Sequence, residues 1–146
     1  MGPLTDAEFQ RIYSKVPRLA VDVIVRDRSG AVYLTKRAHE PCRGLWHIPG
    51  GTVRFGELLK HAVRRVAGRE LSIVVGASKL SGVIEYPSHF DHGLDSPVGL
   101  VFDVIRHQGR PRVNVDASEG GWFKRLPRPM HADQDAFLLG HGYFTE

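Results

Sequence analysis

Cysteine is nearly absent from this chain, and long apolar runs are missing altogether. Cys42 is the sole cysteine among 146 residues, which excludes an internal disulfide and a zinc site built from several cysteines. No stretch approaches the roughly 20 consecutive apolar residues that a membrane span requires. No basic segment followed by an apolar one opens the sequence, so a secretory signal is not expected. These absences favour a cytoplasmic protein with no membrane association.

The charge balance is basic. The chain has 20 Lys and Arg residues against 16 Asp and Glu, which gives a formal net charge of +4. This balance suits a small anionic ligand and, less directly, RNA; a merely solvated basic surface is the alternative. Repeats, low-complexity tracts and linker-like segments do not occur, and the length fits a single domain of residues 1–146.

Hydrophobic patterning predicts an α/β fold of the α+β kind, with a mixed β-sheet between α-helices. Thr5 and Glu8 have the spacing of a capping box, which predicts a first helix. The apolar run from Leu19 to Val25, interrupted by Asp22, predicts a strand, and a turn at 27–30 makes a hairpin with the next strand. The other expected elements are strands at 31–37, 45–48, 77–86, 98–106 and 121–124, loops at 39–44 and 87–92, a glycine turn at 50–51, and a closing helix at 130–140.

The central helix places a carboxylate where its apolar stripe would continue. The stripe is formed by Leu59, Ala62, Val63 and Val66. Glu70 follows on the same face, where an acid is costly unless it is paired or binds a cation. Upstream, Gly50 and Gly51 let the backbone approach a ligand, and carboxylate and carbonyl oxygens suit Mg²⁺ or Mn²⁺. An ion pair between Glu70 and an arginine is the alternative.

The segment from Gly51 to Ile73 resembles a Nudix box, whose pattern is Gly, five residues, Glu, seven residues, Arg-Glu, an apolar residue, any residue, Glu-Glu, any residue, Gly and an apolar residue. The matching residues are Gly51, Glu57, Arg65, Glu70 and Ile73. The departures are Val66 for the glutamate after the arginine, Arg69 for the first of the paired glutamates, and Ser72 for the glycine. The box is therefore degenerate, and the losses fall on metal-binding carboxylates.

Outside the box, the first half of the chain is similar to the GDP-mannose mannosyl hydrolase branch of that family, whose box also keeps only the later glutamate. The matching residues are those of 17–22 and 36–37, followed by Pro41, Gly44, Trp46 and the residues of 49–51. The resemblance implies that Asp22 and Arg37 bind substrate, with the Arg37 guanidinium gripping a diphosphate. It implies that Glu70 and the Gly50 carbonyl hold a single Mg²⁺, and that Arg65 supports the helix and the phosphate region. Arg37 as a plain strand-end surface residue is the alternative.

The second half departs from that branch in the loop before its last conserved strand. The branch has Gln-His there, supplying a metal ligand and a general base, and these positions fall on Asp116 and Ala117. Asp116 is the expected metal ligand, whereas Ala117 cannot act as a base. Glu119 is one candidate for the missing base, and His89 or His92, in a loop that could cover the substrate, are the others.

These residues and the resemblance together predict a Nudix hydrolase acting on a nucleoside-diphosphate-linked substrate, in particular a nucleotide sugar, with Mg²⁺ or Mn²⁺. Water would attack the anomeric carbon, and one metal would be enough to neutralise the departing diphosphate. The catalytic candidates are Glu70, Asp116 and Glu119. The substrate-binding candidates are Asp22, Arg37, Arg65 and His89. The metal-ligand candidates are Gly50, Glu70 and Asp116.

Two other functions fit the same residues. One is a Nudix pyrophosphatase that has rebuilt its metal site from Asp116 and Glu119. The other is a catalytically inactive Nudix module that binds nucleotides or RNA, with Arg69 in place of the metal charge. A small-molecule substrate is preferred to nucleic acid, and a homodimer is expected from the resemblance alone.

Overall fold

The computed structural model describes residues 3–114 and 116–145, and it confirms the predicted α/β class. None of the helices in these ranges is long and apolar enough to cross a membrane. The helices are α1 (Asp6–Tyr13), α2 (Leu59–Leu71), α3 (Pro87–Asp91) and α4 (Ala132–Gly140). The strands are β1 (Arg18–Ile24), β2 (Val32–Arg37), β3 (Trp46–His47), β4 (Gly50–Thr52), β5 (Val74–Glu85), β6 (Pro97–Gln108) and β7 (Ala117–Phe123).

The strands are divided between two sheets. The first sheet has the order β4-β1-β6-β5, with β1 parallel to β6 and antiparallel to β4. The second has the order β3-β2-β7, antiparallel throughout. The predicted turn at 27–30 and the antiparallel return of the chain are present, but the hairpin is short and β1 and β2 belong to different sheets. Both edges of β1 are occupied by β4 and β6, so β2 meets the end of β1 only through the bridge between Arg26 and Val32 and then pairs elsewhere.

Two predicted irregular segments are regular in the structure. The expected glycine turn is instead the short strand β4, in which Gly50 lies opposite Asp22 of β1. The expected loop at 87–92 contains α3, which begins with a proline at its first turn, where the missing N–H costs no intrahelical hydrogen bond. Both segments lie at the edge of the same cleft, described below.

Helix α2 packs on the first sheet through the stripe that the sequence predicted. Ala62, Val63 and Val66 are buried and join Val21 and Val23 of β1 in one core cluster. A second cluster lies around Trp46, whose ring meets the edge of the Phe123 ring with centroids 4.8 Å apart.

Helix α1 has no buried residue, and its N-terminus has the predicted capping box. The Thr5 hydroxyl accepts from the Glu8 backbone N–H at 3.2 Å, and the Glu8 carboxylate accepts from the Thr5 N–H at 3.0 Å. Phe9 of this helix lies under the Arg18 guanidinium, 5.6 Å from the ring centroid. The capping box satisfies the N-terminus of α1, and the contact between Phe9 and Arg18 joins the helix to β1.

Candidate functional site

A guanidinium clamp fixes the loop between β4 and α2. Arg65 donates from Nε and Nη2 to the two carboxylate oxygens of Glu57, at 2.7 and 2.9 Å, and from Nη2 to the Thr52 carbonyl at 2.8 Å. The hydrogen bonds from Arg65 lower the pKa of Glu57 to about 2, so the pair stays ionised. Arg65 was predicted to support this region. Its position is compatible with that role, and its guanidinium is hydrogen-bonded to protein groups.

Glu70 lies beside two charges on neighbouring segments. The Arg69 guanidinium is 3.7 Å from a Glu70 carboxylate oxygen and 3.2 Å from one of Asp116. Burial and the nearby Asp116 carboxylate raise the pKa of Glu70, while Arg69 and Arg37 oppose the shift without cancelling it. Because the Arg69 side chain is 59% exposed, its pairing with Glu70 is weak. The arginine partner that the alternative required exists, but it does not compensate the Glu70 charge.

Glu70 lines a cleft between α1 and α2, which we name the Glu70 cleft. Its lining includes Phe9, Gly50, Gly51, Arg65, Arg69 and Glu70. A second cleft of about 240 Å³, which we name the Asp22 cleft, shares Phe9, Gly50 and Gly51 with it. The Asp22 cleft also includes Arg18, Asp22, Arg37, His89, His131 and Gln134. The two clefts meet at the strand β4.

Asp22 is buried at the floor of its cleft, with only 5% of its surface exposed. Gly50 and Gly99 flank it on the neighbouring strands, and a Cβ atom at either glycine would collide with a carboxylate oxygen of Asp22. Burial raises the pKa of Asp22 to about 7, against the opposing effects of a hydrogen bond from Tyr86 and the charge of Arg18.

A chain of hydrogen bonds connects Asp22 to α4. The Tyr86 hydroxyl donates to Asp22 at 3.0 Å and accepts from the Gln134 side-chain amide at 2.9 Å. The Gln134 carbonyl oxygen accepts from the Ile48 backbone N–H at 2.7 Å. Each polar group in the chain is thereby satisfied, as burial requires.

Arg37 lines the Asp22 cleft, and its charge acts on Glu70 in the other cleft. Its Nε donates to the Pro41 carbonyl at 2.7 Å, which holds the side chain along the wall of the Asp22 cleft. The Arg37 side chain therefore lies in the cleft wall. Asp22 and Arg37 line the same cleft, so their positions are compatible with the predicted binding of one substrate by both residues.

The remaining predicted residues are distributed unevenly. His89 is buried and lines the Asp22 cleft, whereas His92 is exposed and bonds to the Ser88 carbonyl. Asp116 and Glu70 both lie within ion-pair distance of the Arg69 guanidinium, and the Asp116 charge acts on Glu70. Glu119 is exposed on β7, opposite Lys36, and lines neither cleft.

Several cleft residues were missed by sequence reasoning. They are Arg18, Cys42, His47, Tyr86, Asp95, His131 and Gln134. Arg18 and Asp95 form an ion pair with 2.6 Å between nitrogen and oxygen, and Asp95 also meets the His89 ring at 2.9 Å. No motif spacing joins these residues, because they come from separate segments of the chain, and the sequence around them gave no local sign of a shared site.

Comparison with known proteins identifies the family of this chain. Residues 16–137 match the family described as NUDIX domain. The chain belongs to the Nudix family. It is 39% identical to the low-salt glycan biosynthesis protein Agl8 of Haloferax volcanii, over 92% of this chain and 88% of that protein. It is 30% identical to the ADP-ribose pyrophosphatase of Methanocaldococcus jannaschii, over 84% and 72%.

A solved structure supports the same assignment. The MutT Nudix hydrolase from Burkholderia pseudomallei has a TM-score of 0.73 and 31% identity, covering 83% of this chain and 95% of that one. Nudix hydrolases generally use divalent metal ions such as Mg²⁺ or Mn²⁺. The clamp at Arg65 belongs to the part of the Nudix box that this chain retains, and its residues are joined by hydrogen bonds.

The residues of this chain fit such a metal. Glu70 and Asp116 offer carboxylate oxygens, the ligands that Mg²⁺ prefers, and their mutual repulsion contributes to the raised pKa of Glu70. A cation between them would relieve that repulsion. Gly50 lines the Glu70 cleft, so its predicted role as a carbonyl ligand stays a prediction consistent with its position. The Arg69 guanidinium already lies beside both carboxylates.

Asp22 gives a testable pH dependence. Between pH 4 and 7 the folded state holds a proton on Asp22 that the unfolded state, with a pKa of about 3.9, has lost. The wild-type protein should therefore lose stability as the pH rises through this window, by on the order of 2–4 kcal/mol relative to Asp22→Asn. Denaturant unfolding at a series of pH values measures this difference. The exposed Asp91, changed to Asn, is the matched control and should keep the wild-type slope; parallel curves for wild type and Asp22→Asn would contradict the assignment.

Proposed function

We propose that this Nudix protein hydrolyses a nucleoside-diphosphate-linked sugar with the help of Mg²⁺ or Mn²⁺. The observation that carries the proposal is the position of Arg37, which lies in the wall of the Asp22 cleft while its charge reaches Glu70. A diphosphate at this junction would meet the guanidinium from one side and the Glu70 and Asp116 carboxylates, through a metal, from the other. The sugar would then extend into the Asp22 cleft.

Each part of the chain has a defined task in this proposal. Arg37 binds the diphosphate, since a guanidinium matches the geometry of phosphate oxygens. Asp22, held by Tyr86, faces the sugar and orients its hydroxyl groups. Arg65 keeps the loop before α2 in place through Glu57. The metal, when bound, supplies positive charge for the departing diphosphate while water attacks the anomeric carbon.

One feature of the sequence favours substitution at carbon over attack at phosphorus. The box has Val66 and Arg69 where the family pattern has glutamates, so carboxylates for further metals are missing at those positions. The relative with 39% identity, which is named for glycan biosynthesis, supports a nucleotide sugar as the substrate but does not bear on which bond breaks. A single metal is enough when its task is to stabilise a leaving diphosphate.

Cleavage of the phosphoanhydride is the second candidate. It is favoured by the 30% relative, which is named an ADP-ribose pyrophosphatase. ADP-ribose is also a nucleoside diphosphate linked to a sugar, so both reactions use the same class of substrate. They differ in which bond breaks.

Product analysis tests the proposal. Purified protein is incubated with a panel of nucleotide sugars and ADP-ribose, with Mg²⁺ and with Mn²⁺, and the products are separated by chromatography. The proposal expects free sugar and nucleoside diphosphate. Nucleoside monophosphate with sugar phosphate would instead establish the pyrophosphatase, and the absence of turnover over the whole panel would leave only a binding function.

Changing Glu70 to Gln tests the metal ligand. The variant keeps the size of the side chain but removes a half-buried charge, so without metal it should be as stable as wild type or more stable. Mg²⁺ should raise the melting temperature of wild type, and the variant should bind Mg²⁺ and turn over substrate at least about tenfold more weakly. Melting curves with and without Mg²⁺ measure the effect. The exposed Glu85, changed to Gln, should keep the full shift; an equal Mg²⁺ shift in Glu70→Gln and wild type would remove Glu70 from the metal site.

Changing Arg69 to Gln separates the enzyme from the binding module. If a metal binds between Glu70 and Asp116, the guanidinium competes with it, and Arg69→Gln should strengthen Mg²⁺ binding about two- to tenfold. If Arg69 instead replaces the metal charge, the same variant should lose nucleotide affinity in the presence of a chelator. Calorimetric titrations of Mg²⁺ and of a nucleotide sugar give both values. Arg64→Gln, on the exposed face of the same helix, is the control and should change neither.

A further inference from the structure

A cluster of soft and borderline ligands lines the Asp22 cleft, whereas Glu70 lines the other cleft. The Nε2 atoms of His89 and His131 are 3.0 Å apart, and the Cys42 sulfur is 4.0 Å from the His89 Nε2. One ligand atom from each of the three residues lies within 4.8 Å of the others. His89 and His131 are only 8% and 4% exposed. The donor set is one thiol and two imidazoles, unlike the oxygen donors of Glu70 and Asp116.

We infer that Cys42, His89 and His131 form a binding site for a transition-metal ion of the zinc type, separate from the magnesium site. A tetrahedral zinc ion bound at normal lengths places two histidine nitrogens about 3.3 Å apart and a cysteine sulfur about 3.6 Å from a nitrogen. The observed distances of 3.0 and 4.0 Å lie close to these values. A small adjustment of the cysteine loop would complete the geometry.

The second layer of the site has the arrangement found behind metal-bound histidines. His89 Nδ1 lies 2.9 Å from a carboxylate oxygen of Asp95. Since a carboxylate only accepts, this contact keeps a proton on Nδ1, so that Nε2, which faces Cys42 and His131, is the atom available to a metal. Asp95 is itself held by Arg18, whose Nε is 2.6 Å away. The chain from Arg18 through Asp95 therefore orients His89 as a ligand.

Without a metal, two Nε2 atoms at 3.0 Å share one proton, so one imidazole donates to the other. A bound ion would replace that proton and use the lone pairs of both rings. The three ligands come from three separate segments: the loop after β2, helix α3 and the residue that begins α4. Binding would thus fasten the loop that carries the Pro41 contact of Arg37 to the two helices.

The site also faces the cleft. All three ligand residues line the Asp22 cleft together with Arg37. Three protein ligands leave a fourth position of a tetrahedral ion for water or for an oxygen of a bound molecule. In this assignment His89 acts on a bound metal rather than on the substrate directly, which differs from its predicted role.

Metal titration of the stripped protein tests the inference. The full chain is treated with a chelator under reducing conditions, and Zn²⁺ or Co²⁺ is added without Mg²⁺ or nucleotide. Wild type should bind one equivalent, with a raised melting temperature in Zn²⁺ and a thiolate-to-cobalt charge-transfer band in Co²⁺. Cys42→Ser should lose the band and bind Zn²⁺ at least about tenfold more weakly. A wild-type protein without the band, or a Cys42→Ser protein that binds Zn²⁺ as wild type does, would overturn the inference.

Four further variants locate the site. His131→Ala should weaken Zn²⁺ binding as Cys42→Ser does, and Asp95→Asn should weaken it about 10–100-fold while keeping the cobalt band. His92→Ala, an exposed histidine beside α3, should bind Zn²⁺ as wild type does. Glu70→Gln should also bind Zn²⁺ normally, because its carboxylate belongs to the other cleft. Zn²⁺ binding lost in Glu70→Gln, or lost equally in His92→Ala, would refute a separate site; because no substrate is present, these outcomes are independent of the proposed hydrolysis.

Discussion

The buried carboxyl group of Asp22 is the constraint around which the centre of this protein is arranged. It occupies the middle of β1, so the neighbouring strands carry glycines, Gly50 and Gly99, at the two positions where a side chain would strike it. Its hydrogen-bond partner Tyr86 must lie at the end of β5, and Tyr86 in turn requires Gln134 of α4. One polar group placed in a strand of apolar residues therefore fixes residues on four other elements, because a buried polar group must be satisfied.

The same constraint shapes both clefts. With a glycine at position 50, β4 is a strand without side-chain bulk at the place where the two clefts meet. Arg37 lies against one cleft and acts on Glu70 in the other. An extended anionic molecule could thus contact both sides of β4 without any rearrangement of the backbone. Guanidinium groups line both clefts, with Arg18 and Arg37 in one and Arg65 and Arg69 in the other.

In the Nudix box of this chain, the residues that hold the loop are present, whereas some of the carboxylates of the family pattern are replaced. The hydrogen bonds among Arg65, Glu57 and Thr52 keep the loop before α2 in its place, and this half of the motif is intact. In the other half, Val66 and Arg69 replace two glutamates of the pattern while Glu70 remains, and the Arg69 guanidinium lies between the carboxylates of Glu70 and Asp116. The clamp pairs two partly buried charges, so removal of either partner would leave the other without its counter-charge.

The sequence by itself determined the features that depend on residues close together or at fixed spacing. The capping box at Thr5, the apolar stripe of α2 and the family all follow from such spacing, as does the prediction that Glu70 needs a cation. The division into two sheets and the meeting of Cys42, His89 and His131 were decided only by the tertiary structure. These three residues are separated by 47 and 42 positions in the chain. Their distances depend on how strands and helices pack, because no local period of the backbone relates them.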